Sequence, residues 1–218
     1  MDEAGCDPAL LANTYRDFDR VNALVSGWRG IYTRYLRPVL REAGAEATVL
    51  DIGCGAGDVC RRLAAWAKAD GFSPCFVGAD PDERAIEYAK GQANPPGTRF
   101  YCGTAEQLAD KGETFTIVLS NHVLHHLTDS EVTWLCETST RFAPRLVLHA
   151  DIHRHPVAYA TFPVIGGLFP GTYILPDGLL SIRRSFTPDE LRRIAPRNDN
   201  RWRVETAFPF RLRLVWTP

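Results

Sequence analysis

The sequence predicts a doubly wound α/β domain: a seven-stranded, mostly parallel sheet with helices on both faces and an antiparallel last strand. Three observations lead to that class. Between residues 47 and 150, short apolar runs alternate with amphipathic stretches of helical period, the pattern of parallel strands joined by crossover helices. The first apolar run passes through a glycine-rich turn, Asp51-Ile52-Gly53-Cys54-Gly55-Ala56-Gly57-Asp58, directly into a helical stretch. The final two apolar runs are separated only by a short Pro-containing connection, which has no room for a crossover and therefore pairs them antiparallel. A chain of 218 residues, 45% hydrophobic and 11% aromatic, can bury one full core.

Two helices open the chain. Pro8 to about Val25 carries Leu10, Leu11, Tyr15, Phe18, Val21, Leu24 and Val25 at helical spacing, and a second helix runs from about Gly30 to Ala43 with Pro38 as a candidate kink. Strands are expected at 47–52, 74–79, 98–102, 114–120 and 144–150, with helices at 58–69, 82–91, 105–109 and 129–141. The stretch 153–181 is apolar and aromatic but broken by Pro156, Pro163, Pro170, Pro176 and four glycines, so it is expected to be irregular. Thr187-Pro188-Asp189-Glu190 is a helix-start signal for 188–195. The closing strands fall at 202–207 and 209–216. Residues 1–44 thus read as a helical cap, 45–152 as the core, 153–187 as an insertion beside the core, and 188–218 as a C-terminal helix and strand pair.

Charge and cysteine usage narrow the function. With 25 basic and 26 acidic residues the net charge is −1, so no global field favours nucleic acid. The arginines at 183–184, 192–193 and 201–213 alternate with apolar residues and read as solvated faces. Six cysteines form no CxxC pair and no secreted-type framework. The acidic start MDEAGCDPALL lacks an apolar signal core, and no run of about 18 apolar residues marks a membrane span. A cytoplasmic protein without stable membrane insertion is expected; no sequence feature speaks to oligomeric state.

The glycine turn carries the chemistry. Alternating glycines at 53, 55 and 57 let the backbone turn tightly and approach a ligand. The next strand ends in Asp80, whose two oxygens can accept both hydroxyls of a ribose without a 2′-phosphate. The spacing departs from the dinucleotide pattern GxGxxG, and Asp51 just before the loop would repel a pyrophosphate but could orient a cationic group. A nucleoside with an amino-acid arm is favoured. An NAD-dependent oxidoreductase and a non-catalytic nucleoside-binding module remain as alternatives.

VLDIGCGAGD followed by GADPDERAIEYAK resembles the first two motifs of class I S-adenosylmethionine-dependent methyltransferases, and RFYCGTAEQL and FTIVLSNHVLHHL resemble the third- and fourth-strand segments. The likeness covers about residues 45–150. It implies a Rossmann-like fold and S-adenosylmethionine as cofactor, released as S-adenosylhomocysteine. It also implies roles: Gly53, Cys54, Gly55 and Gly57 along the methionine arm, Asp80 on the ribose, Pro81, Thr104 and Ala105 at the adenine, and Ser120 and Asn121 near the sulfonium. Tyr15, Arg29 and Tyr32 would close over the cofactor.

All six histidines fall in two clusters, His122, His125 and His126 after the fourth strand and His149, His153 and His155 around the end of the fifth. Both strand ends border the ligand crevice of an open α/β sheet. Histidine is the side chain suited to taking a proton from an acceptor near neutral pH. His125, in a Val-Leu-His context that resembles the base-bearing segment of polyketide synthase methyltransferase domains, is the first candidate base and His153 the second, with Asp151 available to orient either. His149, inside a strand, reads as a satisfied core residue. No spaced carboxylate set marks a metal site. HADIHRHPVAYA and SIRRSFTPDEL resemble methyltransferases that accompany type III polyketide synthases, which implies a small apolar or aromatic acceptor methylated on a phenolic oxygen, with carbon methylation as the alternative. The aromatic 156–175 stretch would wall that acceptor.

Overall fold

The structure is a computed structural model that describes residues 6–218, leaving out the side chains of Pro8, Phe18, Asp19, Ala23, Leu24 and Val25. The start of the N-terminal reading and the helix positions Phe18, Leu24 and Val25 lie outside the described residues. Seven strands form one sheet in the order β3-β2-β1-β4-β5-β7-β6. They are β1 (Thr48–Ile52), β2 (Cys75–Asp80), β3 (Thr98–Cys102), β4 (Ile117–Asn121), β5 (Leu146–Ile152), β6 (Trp202–Ala207) and β7 (Arg211–Trp216). The first five are parallel, and β7 runs antiparallel to both β5 and β6. This is the Rossmann-like sheet expected from the alternation of elements.

Register explains the layers. Successive residues of a strand point to opposite faces. Leu50, Val77, Val118, Val147 and Leu214 pack on one face, with Val132 and Leu135 of α7 (Asp129–Arg141), Phe142 just after it, and residues of α6 (Ala105–Asp110) and α10 (Pro188–Ile194). Their neighbours Val49, Phe76, Ile117, Leu119, Leu148 and Val215 pack on the other. There they meet Val59 and Leu63 of α4 (Asp58–Ala69) and the segment from Trp28 to Leu40. α5 (Glu83–Lys90) joins β2 to β3, and α1 (Pro8–Val25) lies across α4, where Asn22 Nδ2 donates to Asp58 Oδ2 at 2.8 Å.

Three elements differ from the sequence reading. The second helix starts at Trp28 and is not uniform: α2 (Trp28–Ile31) passes through a π-helical stretch (Tyr32–Leu36) into α3 (Arg37–Ala43). Pro38 is the second residue of α3, directly after the π-helical stretch. The 153–181 stretch holds two eleven-residue helices, α8 (Pro156–Gly166) and α9 (Ile174–Arg184). Pro156 opens α8 and Pro176 falls in the first turn of α9, positions that need no amide donor, while Pro170-Gly171 sits in the connection. β7 is buried along its whole length, Arg211 and Arg213 included. It is an inner strand covered on both faces, so its alternation does not mark a solvated side.

Candidate functional site

The order of strands reverses between β1 and β4, and the loops leaving their C-terminal ends diverge to opposite faces. Such a switch point opens a crevice where α/β sheets bind ligands. A cavity of about 760 Å³ lies there, bounded by the loop after β1, the ends of β2, β4 and β5, the start of β7, and helices α1, α8 and α9. That is room for a cofactor and a small acceptor together. α1 is tied across it: Thr14 Oγ1 accepts the Tyr173 N–H at 2.8 Å, and Asn13 Nδ2 donates to the Gly171 carbonyl at 3.3 Å.

One end of the cavity is acidic. Gly53 (φ +67°) and Gly55 (φ +50°) turn the chain through left-handed backbone. A Cβ on Gly53 would lie 2.5 Å from Val123 Cγ2, so no side chain fits, whereas Gly55 faces open space. Asp80 is fixed by the loop it faces: its Oδ2 accepts the Gly55 N–H and its Oδ1 the Asp82 N–H, each at 2.9 Å. Asp51 is buried, with Oδ2 taking only a weak 3.5 Å contact from the Cys60 thiol and Oδ1 finding no partner. Burial pushes its pKa well above the usual carboxylate range, the Cys60 contact opposing this and the charges of Asp58 and Asp80 adding to it. An orphaned carboxylate oxygen in a nucleoside-sized cavity fits an ammonium group. Tyr15 lines the same end, 5.2 Å from the Tyr88 ring, its hydroxyl pushed up to about 12 by burial and by Asp82.

Three histidines line the cavity, His122, His125 and His126. His125 is almost wholly buried, in a one-turn 3₁₀ segment after β4. Its Nδ1 lies 2.8 Å from Asp151 Oδ1, and its backbone N–H donates to Asp151 Oδ2 at 3.0 Å. Burial alone would raise the Asp151 carboxyl, but the adjoining imidazoles and the N–H donors outweigh it and hold it well below its ordinary value. An ionised carboxylate only accepts, so Nδ1 carries a proton and the bond fixes which way the ring faces. His122 has left-handed backbone (φ +61°), and its Nε2 accepts from Arg211 Nη2 at 3.0 Å. Burial and Arg211 both drive its pKa well below the usual histidine value. Beyond them the wall is apolar, from Ile152, Ala158, Phe162, Ile165, Ile182 and Phe210.

Residues 49–144 match the methyltransferase-domain family model. The chain is 29% identical over 153 residues to a ubiquinone biosynthesis O-methyltransferase of Bartonella bacilliformis, covering 69% of this chain and 58% of that protein. It is 33% identical over 150 residues to the one of Rhizobium etli, covering 66% and 56%. The chain carries a methyltransferase domain over residues 49–144. It spans little more than half the length of these two relatives. It also superposes on the plantazolicin methyltransferase (TM-score 0.68, 14% identity, 96% of both chains). Human N-acetylserotonin methyltransferase gives a TM-score of 0.64 at 12% identity, over 93% of this chain and 54% of that one. Both superpositions speak to the fold.

Tyr15, Asp51, Gly53, Cys54, Gly55, Asp80, Pro81, Asn121 and His125 all line the cavity. The other sequence-derived candidates sit elsewhere. The Arg29 guanidinium lies on the outer face of α2, 5.1 Å from the Trp66 ring and 5.7 Å from that of Tyr32, which is itself wholly buried in the core. Thr104 caps α6, its hydroxyl accepting the Gln107 N–H, and Ala105 packs in the core. Ser120 points to the opposite side of β4, where its hydroxyl meets His149 Nδ1 at 2.8 Å. Gly57 caps α4 against Phe100. His153 lies beyond the cavity wall beside His155, with ring centroids 5.5 Å apart. Among the cavity residues that carried no role in the sequence reading are His122 and Arg211. The signal for Arg211 was its place directly after the Pro209 turn, at the end of β7 that pairs with Ile152 of β5.

Proposed function

We propose that this chain binds S-adenosylmethionine and directs its methyl group to a hydroxyl of a small aromatic or apolar acceptor, a phenolic metabolite in the first instance. The observation that carries the proposal is the juxtaposition in one cavity of the partnerless Asp51 oxygen and the Asp80 carboxylate with the His125–Asp151 pair and an apolar wall. The O-methyltransferase names of the relatives support a hydroxyl acceptor.

In this reading Asp51 takes the ammonium of the methionine arm, and the glycine turn lets the arm lie against the backbone. Asp80 accepts the two ribose hydroxyls, and Pro81 and Tyr15 pack around the base. S-adenosylmethionine supplies, when bound, a methyl group made electrophilic by its sulfonium. His125 accepts the acceptor's hydroxyl proton on Nε2, Asp151 holding the ring and stabilising the imidazolium. Helices α8 and α9 keep water from the site, which strengthens each of these electrostatic contacts.

The test is calorimetric titration with S-adenosylhomocysteine and with NADH, followed by transfer of labelled methyl to a panel of phenols with the product's methyl position read by mass spectrometry. Binding of S-adenosylhomocysteine alone and a methyl ether product are expected. Binding of NADH alone would overturn the reading, and cofactor binding without any methylated product would assign the fold to a non-catalytic role.

A further inference from the structure

Arg211 is 4% exposed, yet it lines the cavity. Its Nη2 donates to Asn121 Oδ1 at 3.3 Å and to His122 Nε2 at 3.0 Å, while its Nε finds no acceptor. No carboxylate forms an ion pair with it among the described residues. The nearby acid, Asp151, spends Oδ1 on His125 Nδ1 and on the Ile152 N–H, and Oδ2 on the His125 N–H. Since a guanidinium has no lone pair, His122 must be neutral at Nε2 and adds no charge to answer it. Burial lowers the Arg211 pKa only to about 10, so the cation persists at neutral pH. A dehydrated cation held by two neutral acceptors is the environment of a site completed by an anion. It stands beside the proposed base, the His122 and His125 rings being 6.0 Å apart.

We propose that Arg211, positioned by Asn121 and His122, is an acceptor-specificity residue that binds an anionic oxygen next to the methylated centre. The acceptor is then an acid before transfer, either an aromatic carboxylate or an acidic enol. This rests on the methyltransferase reading of the same cavity.

The test uses the intact chain saturated with S-adenosylhomocysteine and calorimetric titration with four probes: 2-hydroxybenzoate, 2-hydroxybenzyl alcohol, 4-hydroxy-6-methyl-2-pyrone and phenol. The wild type is expected to bind the benzoate or the pyrone at least tenfold more tightly than its neutral counterpart, and the one preferred names the source of the anion. Arg211→Gln is expected to erase that preference while keeping the S-adenosylhomocysteine affinity; Arg211→Lys is expected to restore part of it. Equal affinities in the wild type, no binding of any probe, or a preference that survives in Arg211→Gln would each overturn the proposal. Failure to bind S-adenosylhomocysteine would instead strike the reading beneath it.

Discussion

Replacing Asp51 by asparagine should make the protein more stable and its cofactor binding weaker. The side chain is 2% exposed, one oxygen has no partner and the other only a thiol. Its pKa is raised by burial, with Asp58 and Asp80 opposing ionisation further. For an acid raised above its unfolded value, the folded state holds the proton more tightly. Stability is therefore lost as pH rises from about 3.9 through the folded pKa. Asparagine keeps the shape and removes that cost. The expected gain is about 1–3 kcal/mol at pH 7, or roughly 3–10 °C in Tm for a chain of this size. The same charge is what an ammonium would meet, and losing a charged hydrogen bond of about 1.5–3 kcal/mol should weaken S-adenosylhomocysteine roughly 10- to 150-fold. Differential scanning calorimetry of the ligand-free protein between pH 5 and 8 and titration calorimetry provide both numbers. A variant that is less stable and binds S-adenosylhomocysteine as before would show Asp51 to be a structural group and place the ammonium elsewhere.

Asp80→Ala should weaken S-adenosylhomocysteine by about 2–3 kcal/mol, or roughly 30- to 150-fold; an unchanged affinity would take the ribose away from Asp80. His125→Ala and Asp151→Asn should each lower turnover about 10²- to 10⁴-fold with cofactor affinity kept. The gap should narrow as pH rises and phenols ionise unaided, and equal pH profiles would return the pair to a structural role. His149 is wholly buried, stacked on Trp202, and its pKa is lowered by burial to about 3. The unfolded chain takes up that proton below about pH 6.5, so His149 should withdraw on the order of 4 kcal/mol of stability as pH falls from about 6.5 to about 3. Urea denaturation of the wild type and His149→Gln should diverge along that limb, and parallel curves would refute the assignment. Gly53→Ala should cost about 2 kcal/mol or more, from left-handed backbone and overlap with Val123. Adding Val123→Ala should recover the overlap part in a thermal melt.

The elements legible in the sequence are those whose ends are local events. Gly57 before Asp58 and the Thr128–Glu131 capping box place the starts of α4 and α7 where the pattern reads them. Asp51, Asp80 and the glycines are legible because a strand-to-helix turn and a strand end lie within a few residues of the groups they position. What escapes is set across the chain. Whether an arginine of β7 meets water depends on β5 and β6 flanking it and on helices far away in sequence: Arg211 ends at the cavity, while Arg213, two residues on and on the same face, lies 6.0 Å from the Tyr35 ring. Ser120 and Thr104 have the residue types their proposed roles ask for. One turns to His149 and the other to its own helix, which side-chain identity alone does not disclose. Proline in 153–181 misleads in the other direction: Pro156 and Pro176 lie within the first turn of a helix, where no amide donor is needed, and Pro163 sits inside α8 without ending it.

The cavity sets carboxylates and an arginine at different ends, and this constrains how its occupants lie. Asp51 and Asp80 face the end that would take a nucleoside with a cationic arm, and Arg211 the end beside His125. The Asp51 oxygen that finds no partner lowers stability, as does any buried polar group left unsatisfied. The same arrangement fixes the direction of the ligands, because reversing them would set like charges together in a site of low dielectric. It also makes the two occupants interdependent. A cation at the acidic end and an anion at Arg211 attract each other across the cavity, so each should bind more tightly when the other is present. Measured as the change in S-adenosylmethionine affinity caused by saturating 2-hydroxybenzoate, that coupling should exceed the one seen with uncharged S-adenosylhomocysteine sulfur. It should also fall in Arg211→Gln. Coupling that is equal for the two cofactor forms would mean that the sulfonium charge is not felt at the acceptor end.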